Sequence, residues 1–197
     1  MAKAIKLFMC ILASALSATA TAQQGESKLT SVAARDITLQ VPESWKPVKV
    51  VSSSRLLQYE IPNTEADGES ADLVVYYFGG STGGVRANIE RWIGQFYDKD
   101  RTVELSTGKC RDGSYVLADI SGTWKKPDGP PMARKTIDQP GSRVIGVILT
   151  TEKEQTKDWY FLKLSGPDHL VKSQSSALLE AFGAEASRPF TLQDSED

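Results

Sequence analysis

His169 is the only histidine in a chain of 197 residues, so any catalytic or metal-binding reading has to begin there. Nucleophilic catalysis needs a thiol or hydroxyl, a base to activate it and a third group to orient that base. Cys110 with His169 is the pairing on offer, and neither sits in a nucleophile signature such as G-x-S-x-G. Zinc needs several His, Cys or carboxylate ligands at short, regular spacings, and neither residue has such neighbours. Glu104 and Asp119 are two of 25 acidic residues, and a general acid and base cannot be assigned from so many without a pocket. The residues imply no cofactor and no metal. They lean away from an enzyme, with a hydrolase of an envelope substrate as the alternative.

Two shorter patterns imitate ligand sites. Gly79, Gly80, Gly83 and Gly84 precede a helical stretch, where free backbone N–H groups could hold a phosphate. No Lys-Ser/Thr follows, and G-x-G-x-x-G is absent, so these glycines are read as the turn from strand to helix. Asn63, Glu65, Asp67 and Gly68 resemble the first half of a calcium loop. The position of the bidentate Glu falls on Val74, and a solvated acidic turn is the expectation.

A binding function finds its strongest sequence support between Gly122 and Ser142. Pro127, Pro130, Pro131 and Pro140 predict an irregular connection there, and loops of that length are usually functional or disordered. Trp124, Lys125, Lys126, Arg134, Lys135 and nearby Arg143 outnumber the acids Asp128 and Asp138. Cations beside an aromatic suit an acidic partner, either an envelope protein or an anionic glycan.

The elements that must carry these residues follow from periodicity. Ile37, Leu39 and Val41 alternate with polar residues, as do Leu57, Tyr59 and Ile61, which predicts half-buried strands. Leu73 to Phe78 is a continuous apolar run that predicts a central strand. Val85, Ile89, Trp92, Ile93 and Phe96 recur at helical spacing, leaving Arg86, Glu90 and Arg91 to solvent. Val103 and Leu105 face Val116, Ala118 and Ile120 across Asp112-Gly113, a hairpin signal. Val144 to Thr150 and Trp159 to Leu164 predict a last strand pair. A second helix follows, with Asp168 as candidate N-cap and Leu170, Val171, Ala177, Leu178 and Phe182 inward. The fold class is α+β, a mainly antiparallel sheet flanked by two helices.

Both ends read differently from this middle. Lys3 and Lys6, the apolar stretch Leu7 to Ala18 and Ala20-Thr21-Ala22 predict a cleavable signal peptide over 1–22. The stretch is well short of the roughly 20 apolar residues of a membrane span. Cys10 lies within the apolar part and lacks the small residues of a lipidation site. A flexible leader is expected over 23–35, one domain over 36–185 and an acidic tail over 186–197. Without the first 22 residues, 21 basic side chains face 25 acidic ones, a net of −4. That gives no footprint for nucleic acid, and no membrane insertion is expected after cleavage. Cys110 then has no partner for an internal disulfide. Burial, a disulfide to a second chain and a reactive thiol are its three fates, burial being the commonest for cysteine.

Three stretches in order resemble a known group: Leu39-Gln40-Val41-Pro42-Glu43-Ser44-Trp45; Tyr76-Tyr77-Phe78-Gly79 with Asn88-Ile89-Glu90-Arg91-Trp92; and Phe161-Leu162-Lys163-Leu164-Ser165-Gly166-Pro167. They resemble exported bacterial proteins of the PsbP-like and DcrB-like group, over roughly Asp36 to Phe182. The resemblance implies an antiparallel sheet flanked by helices and an accessory or binding role. It supplies no catalytic residues. The expectation is an exported, soluble, periplasmic or extracellular binding or accessory protein, with an oligomeric structural component as a further alternative.

Overall fold

A computed structural model of the chain describes residues 28–65, 68–79, 83–129, 135–153 and 156–194. The signal-peptide pattern, residues 23–27 of the leader, Asp67, Gly80, Arg134 and the last three residues lie outside them.

Two strands, β1 (Leu29–Ala34) and β2 (Ile37–Pro42), form a separate hairpin. Arg35 turns it with a φ of 56°, a left-handed conformation uncommon for a residue with a Cβ. Its guanidinium lies 3.9 Å above the Tyr77 ring. The main sheet contains β3 (Lys46–Pro47), β4 (Arg55–Ile61), β5 (Ala71–Tyr77), β6 (Thr102–Cys110), β7 (Gly113–Pro127), β8 (Thr136–Lys153), β9 (Thr156–Pro167) and β10 (Ala184–Pro189). Their order is β10-β6-β7-β8-β9-β5-β4-β3, and every pairing is antiparallel. Helix α1 (Val85–Ile93) covers one face; α2 (Asp168–Ser173) and α3 (Ser175–Ala181) serve the other. No described helix is long and apolar enough to cross a membrane.

Alternation divides the core into two. Leu73, Val75, Ile145, Val147, Leu149, Leu162 and Leu164 point to the face closed by the β1–β2 hairpin, α2 and α3. Ala118, Ile120, Val144, Ile148 and Phe161 point the other way, where Ile89, Trp92 and Phe96 cover them. Residues 73–75 of β5, 144–149 of β8 and 160–162 of β9 are therefore buried on both faces, which is why these stretches read as apolar runs. Trp45 is buried on the first face, where its Nε1 donates to Gln174 Oε1 at 2.9 Å.

Five expectations are corrected. Within the connection from Gly122 to Ser142, residues 122–127 and 136–142 are not irregular: they form the outer part of a β7–β8 ribbon, with Trp124 opposite Gln139 and Pro127 opposite Thr136. The ladder slips between Gly122 and Trp124, and Pro140 and Gly141 lie opposite Thr123 in that slip. Proline is tolerated at a bulge or strand end because no ladder N–H is required of it there. The described part of the leader, from Lys28, contributes β1 and is not flexible coil. The region assigned to the tail begins inside β10, which pairs with β6. The final helix is two, interrupted at Gln174, where the Ser173 and Ser175 hydroxyls bond the carbonyls of Leu170 and Lys172 and compete with the helical ladder. Asp168 is not the N-cap, a position held by Pro167; it is the first helical residue.

Asp168 instead receives Arg143 Nε at 2.7 Å, while Arg143 Nη1 donates to both oxygens of Asp119 at 2.7 Å. The triad ties α2 to β7 and β8. Burial pushes the Asp119 carboxyl above its ordinary value, against the opposing pull of Arg143. Replacing Arg143 with Met strands a half-buried carboxylate. Urea denaturation should show a loss of about 2–4 kcal/mol, largely recovered when Asp119→Leu is added. A loss below about 0.5 kcal/mol would make the triad a surface ornament.

Candidate functional site

The arrangement with chemical potential lies on the α1 face. Tyr76 on β5 is directly opposite Phe161 on β9, and two residues along Val74 is opposite Lys163. On its other side Lys163 pairs with Gly146 of β8. A Cβ at Gly146 would stand 2.5 Å from Trp92 Cε3, so the glycine leaves the space in which the Trp92 ring lies. Trp92 and Phe161 meet edge to face at 6.4 Å and 86°. Phe78 packs edge-on to Phe161 at 5.5 Å and parallel to Tyr76 at 5.8 Å. Together Tyr76, Phe78, Arg91, Trp92, Phe161 and Lys163 line a cleft of about 160 Å³.

The start of α1 sets this up. Asn88 is fully buried, and its Nδ2 donates to the carbonyls of Gly83 and Gly84 at 3.0 Å each. Gly83, at φ 75°, makes the turn that residues with a Cβ resist. These glycines serve as the strand-to-helix connection. Asn88 Oδ1 also accepts from Arg91 Nη2, aligning the guanidinium along the helix.

After α1 the chain crosses to the ribbon: Tyr97 N donates to Thr123 O and Lys125 N to Gln95 O. That crossing brings Gln95 beneath Lys163. Gln95 Oε1 accepts from Lys163 Nζ at 2.9 Å and from Trp124 Nε1 at 3.3 Å. Lys163 Nζ is also 4.9 Å from the Trp124 ring centre, and Trp124 stacks on Phe96 at 6.4 Å. Burial, reinforced by the Arg91 charge, pulls the Lys163 amine down to about 8. Desolvation disfavours an ammonium, and a second cation nearby adds to the effect. Among the described residues, neither Lys163 nor Arg91 forms an ion pair with a carboxylate.

The described residues among those singled out from the sequence do not gather into one surface. Trp124 is 5 % exposed and reaches the cleft only through Lys163. Lys125 lies 5.1 Å over the Tyr97 ring; Lys126 pairs with Glu69 at 2.9 Å and Lys135 with Asp128 at 2.5 Å. Arg143 is committed to the triad on the opposite face. Cys110 pairs with Gly113 at one end of the β7 ladder, whereas His169 follows Pro167, which is level with Ser142 and Gly122 near its other end. The thiol is buried and pushed upward by that burial. His169 is exposed, with its Nε2 3.4 Å from Asn63 Nδ2. Asn63 closes its own loop, accepting from Glu65 N and donating to Glu69 O. Glu104 and Asp119 are cross-strand neighbours beside a depression of about 490 Å³, but both Asp119 oxygens are occupied by Arg143.

Sequence reading missed Lys163, Arg91 and Gln95. The available signal was Lys163 itself: a lone charge in Trp159-Tyr160-Phe161-Leu162-Lys163-Leu164, on the same face as Phe161. A charged residue in a strand dry on both sides requires a special environment.

No protein-family model and no curated protein matches the chain. Among solved structures it is similar to cyanobacterial PsbP (CyanoP) from Synechocystis sp. PCC 6803, at 14% identity and a TM-score of 0.45, over 88% of this chain and 99% of that one.

The lowered proton affinity of Lys163 has a measurable sign. An unfolded chain keeps this proton up to about 10.5, the folded one only to about 8. Between those values the unfolded state binds more protons, so the Lys163 contribution to stability rises with pH, by up to roughly 3 kcal/mol. Denaturation of wild type and Lys163→Met in parallel from pH 7.5 to 10 isolates it, because the tyrosines are common to both. The wild type should gain on the variant across this range; parallel curves would mean that the amine is solvated.

Proposed function

We propose that this chain is an exported, non-enzymatic binding or accessory protein of the cell envelope that takes hold of its ligand by an acidic group, in the cleft between α1 and the sheet. One observation carries the reading: Arg91 and Lys163 converge on an aromatic-walled cleft, and among the described residues no carboxylate neutralises either. A desolvated cation without a counter-ion is unfavourable, and an arriving anion relieves that penalty while the rings bury the remainder of the ligand. Convergent polar groups in a mainly apolar concavity are the usual form of a small-ligand site. Export is supported by the pattern in residues 1–22. The binding rather than hydrolytic reading is supported by the separation of Cys110 from His169 and by the occupied oxygens of Asp119.

A ligand-observed NMR screen of small carboxylates, neutral compounds and amines tests the reading. Acids should dominate the hits, and the double variant Arg91→Ala/Lys163→Met should lose them while retaining cooperative thermal unfolding. Hits spread evenly over the three classes, or unaffected by the double variant, would contradict it.

A further inference from the structure

Size and lining narrow the ligand, on the assumption that the acid-binding reading of the cleft holds. The cleft offers about 160 Å³. A buried apolar cavity of about 150 Å³ holds one benzene ring. The cleft therefore matches a single six-membered ring in size. Four of the six lining residues are aromatic, and they present both faces and edges: Tyr76 and Phe78 are parallel within 8°, while Phe161 is tilted 65° to Phe78 and Trp92 86° to Phe161. An incoming ring finds offset and edge-to-face neighbours at once, the arrangements that aromatic pairs prefer.

Charge placement supplies the second half. Arg91 is exposed on α1 and offers a planar fork suited to a carboxylate, whereas Lys163 is a point charge set deeper, on β9. Gln95 and Trp124 hold the Lys163 ammonium from one side with neutral partners only, so it retains donor capacity and charge for an anion. No acid among the lining residues competes for it. An amine ligand would meet two like charges.

We infer that the cleft is a binding site for a free aromatic monocarboxylate: a single ring packed among Tyr76, Phe78, Trp92 and Phe161, with its carboxylate between Arg91 and Lys163. Binding is non-covalent and changes only protonation. The carboxylate favours the ammonium form of Lys163, so association near pH 8 takes up a proton. Arg91 is the one other charge among the cleft's lining residues, and Arg55 of β4, 5.7 Å over the Tyr76 ring, is a further cation beside it.

Isothermal titration of the full chain at pH 8 with benzoate, acetate and benzylamine, in two buffers of different ionisation enthalpy, tests this. Benzoate should bind at least tenfold more tightly than acetate or benzylamine, with proton uptake. Lys163→Met should abolish the uptake and Arg91→Ala should weaken benzoate at least fivefold, both with unchanged circular dichroism. Acetate binding as tightly as benzoate would overturn the ring assignment and leave the acid-binding reading in place. Benzylamine matching benzoate would overturn both. So would silence from all three in a protein that also yields no acid in the screen; silence alongside binding of larger acids would overturn the single-ring assignment alone.

Discussion

Gly146 lies in the middle of β8 with Ala118 of β7 on one side and Lys163 of β9 on the other, and Trp92 fills the trough they leave. Because a Cβ there would collide with the indole, the missing side chain allows α1 to approach the sheet. From that seat the rest of the face follows. Trp92 brings Arg91 to the cleft rim and meets Phe161. The end of α1 then delivers Gln95 and Phe96 to the ribbon, where Trp124 completes the surroundings of Lys163. A small-residue trough filled by a large ring converts packing density into position, since dense interiors leave little slack for a displaced side chain.

The two faces divide the work. The face under the β1–β2 hairpin and the last helices holds the larger aliphatic core, and its polar groups find internal partners: Arg143 pairs with Asp119 and Asp168, and the neutral Tyr160 hydroxyl donates to Asp36. The α1 face is smaller, richer in aromatics and carries two cations, Arg91 and Lys163, that have no carboxylate partner among the described residues. Burial of charge is tolerated in the first case because the partners are internal. In the second, desolvation and the Arg91 charge are accommodated by the depressed proton affinity of Lys163.

Periodicity made much of this legible. The alternation of Ile37, Leu39 and Val41, the apolar run from Leu73 and the helical spacing of Ile89 and Trp92 all have their counterparts in β2, β5 and α1, because in each a single local period coincides with burial. The ribbon was obscured by Pro127 and Pro140, of which one ends β7 and the other lies in a register slip that only the partner strand reveals. Strands β1 and β10 were hidden because they are mostly solvated on their outer sides and lack alternation. The cleft was the least legible part. Gly146 inside an apolar run gives no indication of what lies above it, and Lys163 meets Gln95 and Trp124 only after α1 has crossed the sheet.

A neutral-to-charged transition at Lys163 reports on the whole arrangement, because it requires Trp92 in its trough and Gln95 beneath the amine. Heteronuclear NMR of the Lys163 side chain in wild type and in Gly146→Ala is the direct measurement. The wild-type amine should titrate near 8. In the alanine variant, displacement of the indole should admit water and move the midpoint towards the ordinary lysine value of about 10.4. A wild-type midpoint already at the ordinary value, or one that Gly146→Ala leaves in place, would contradict the dependence of the cleft on that glycine.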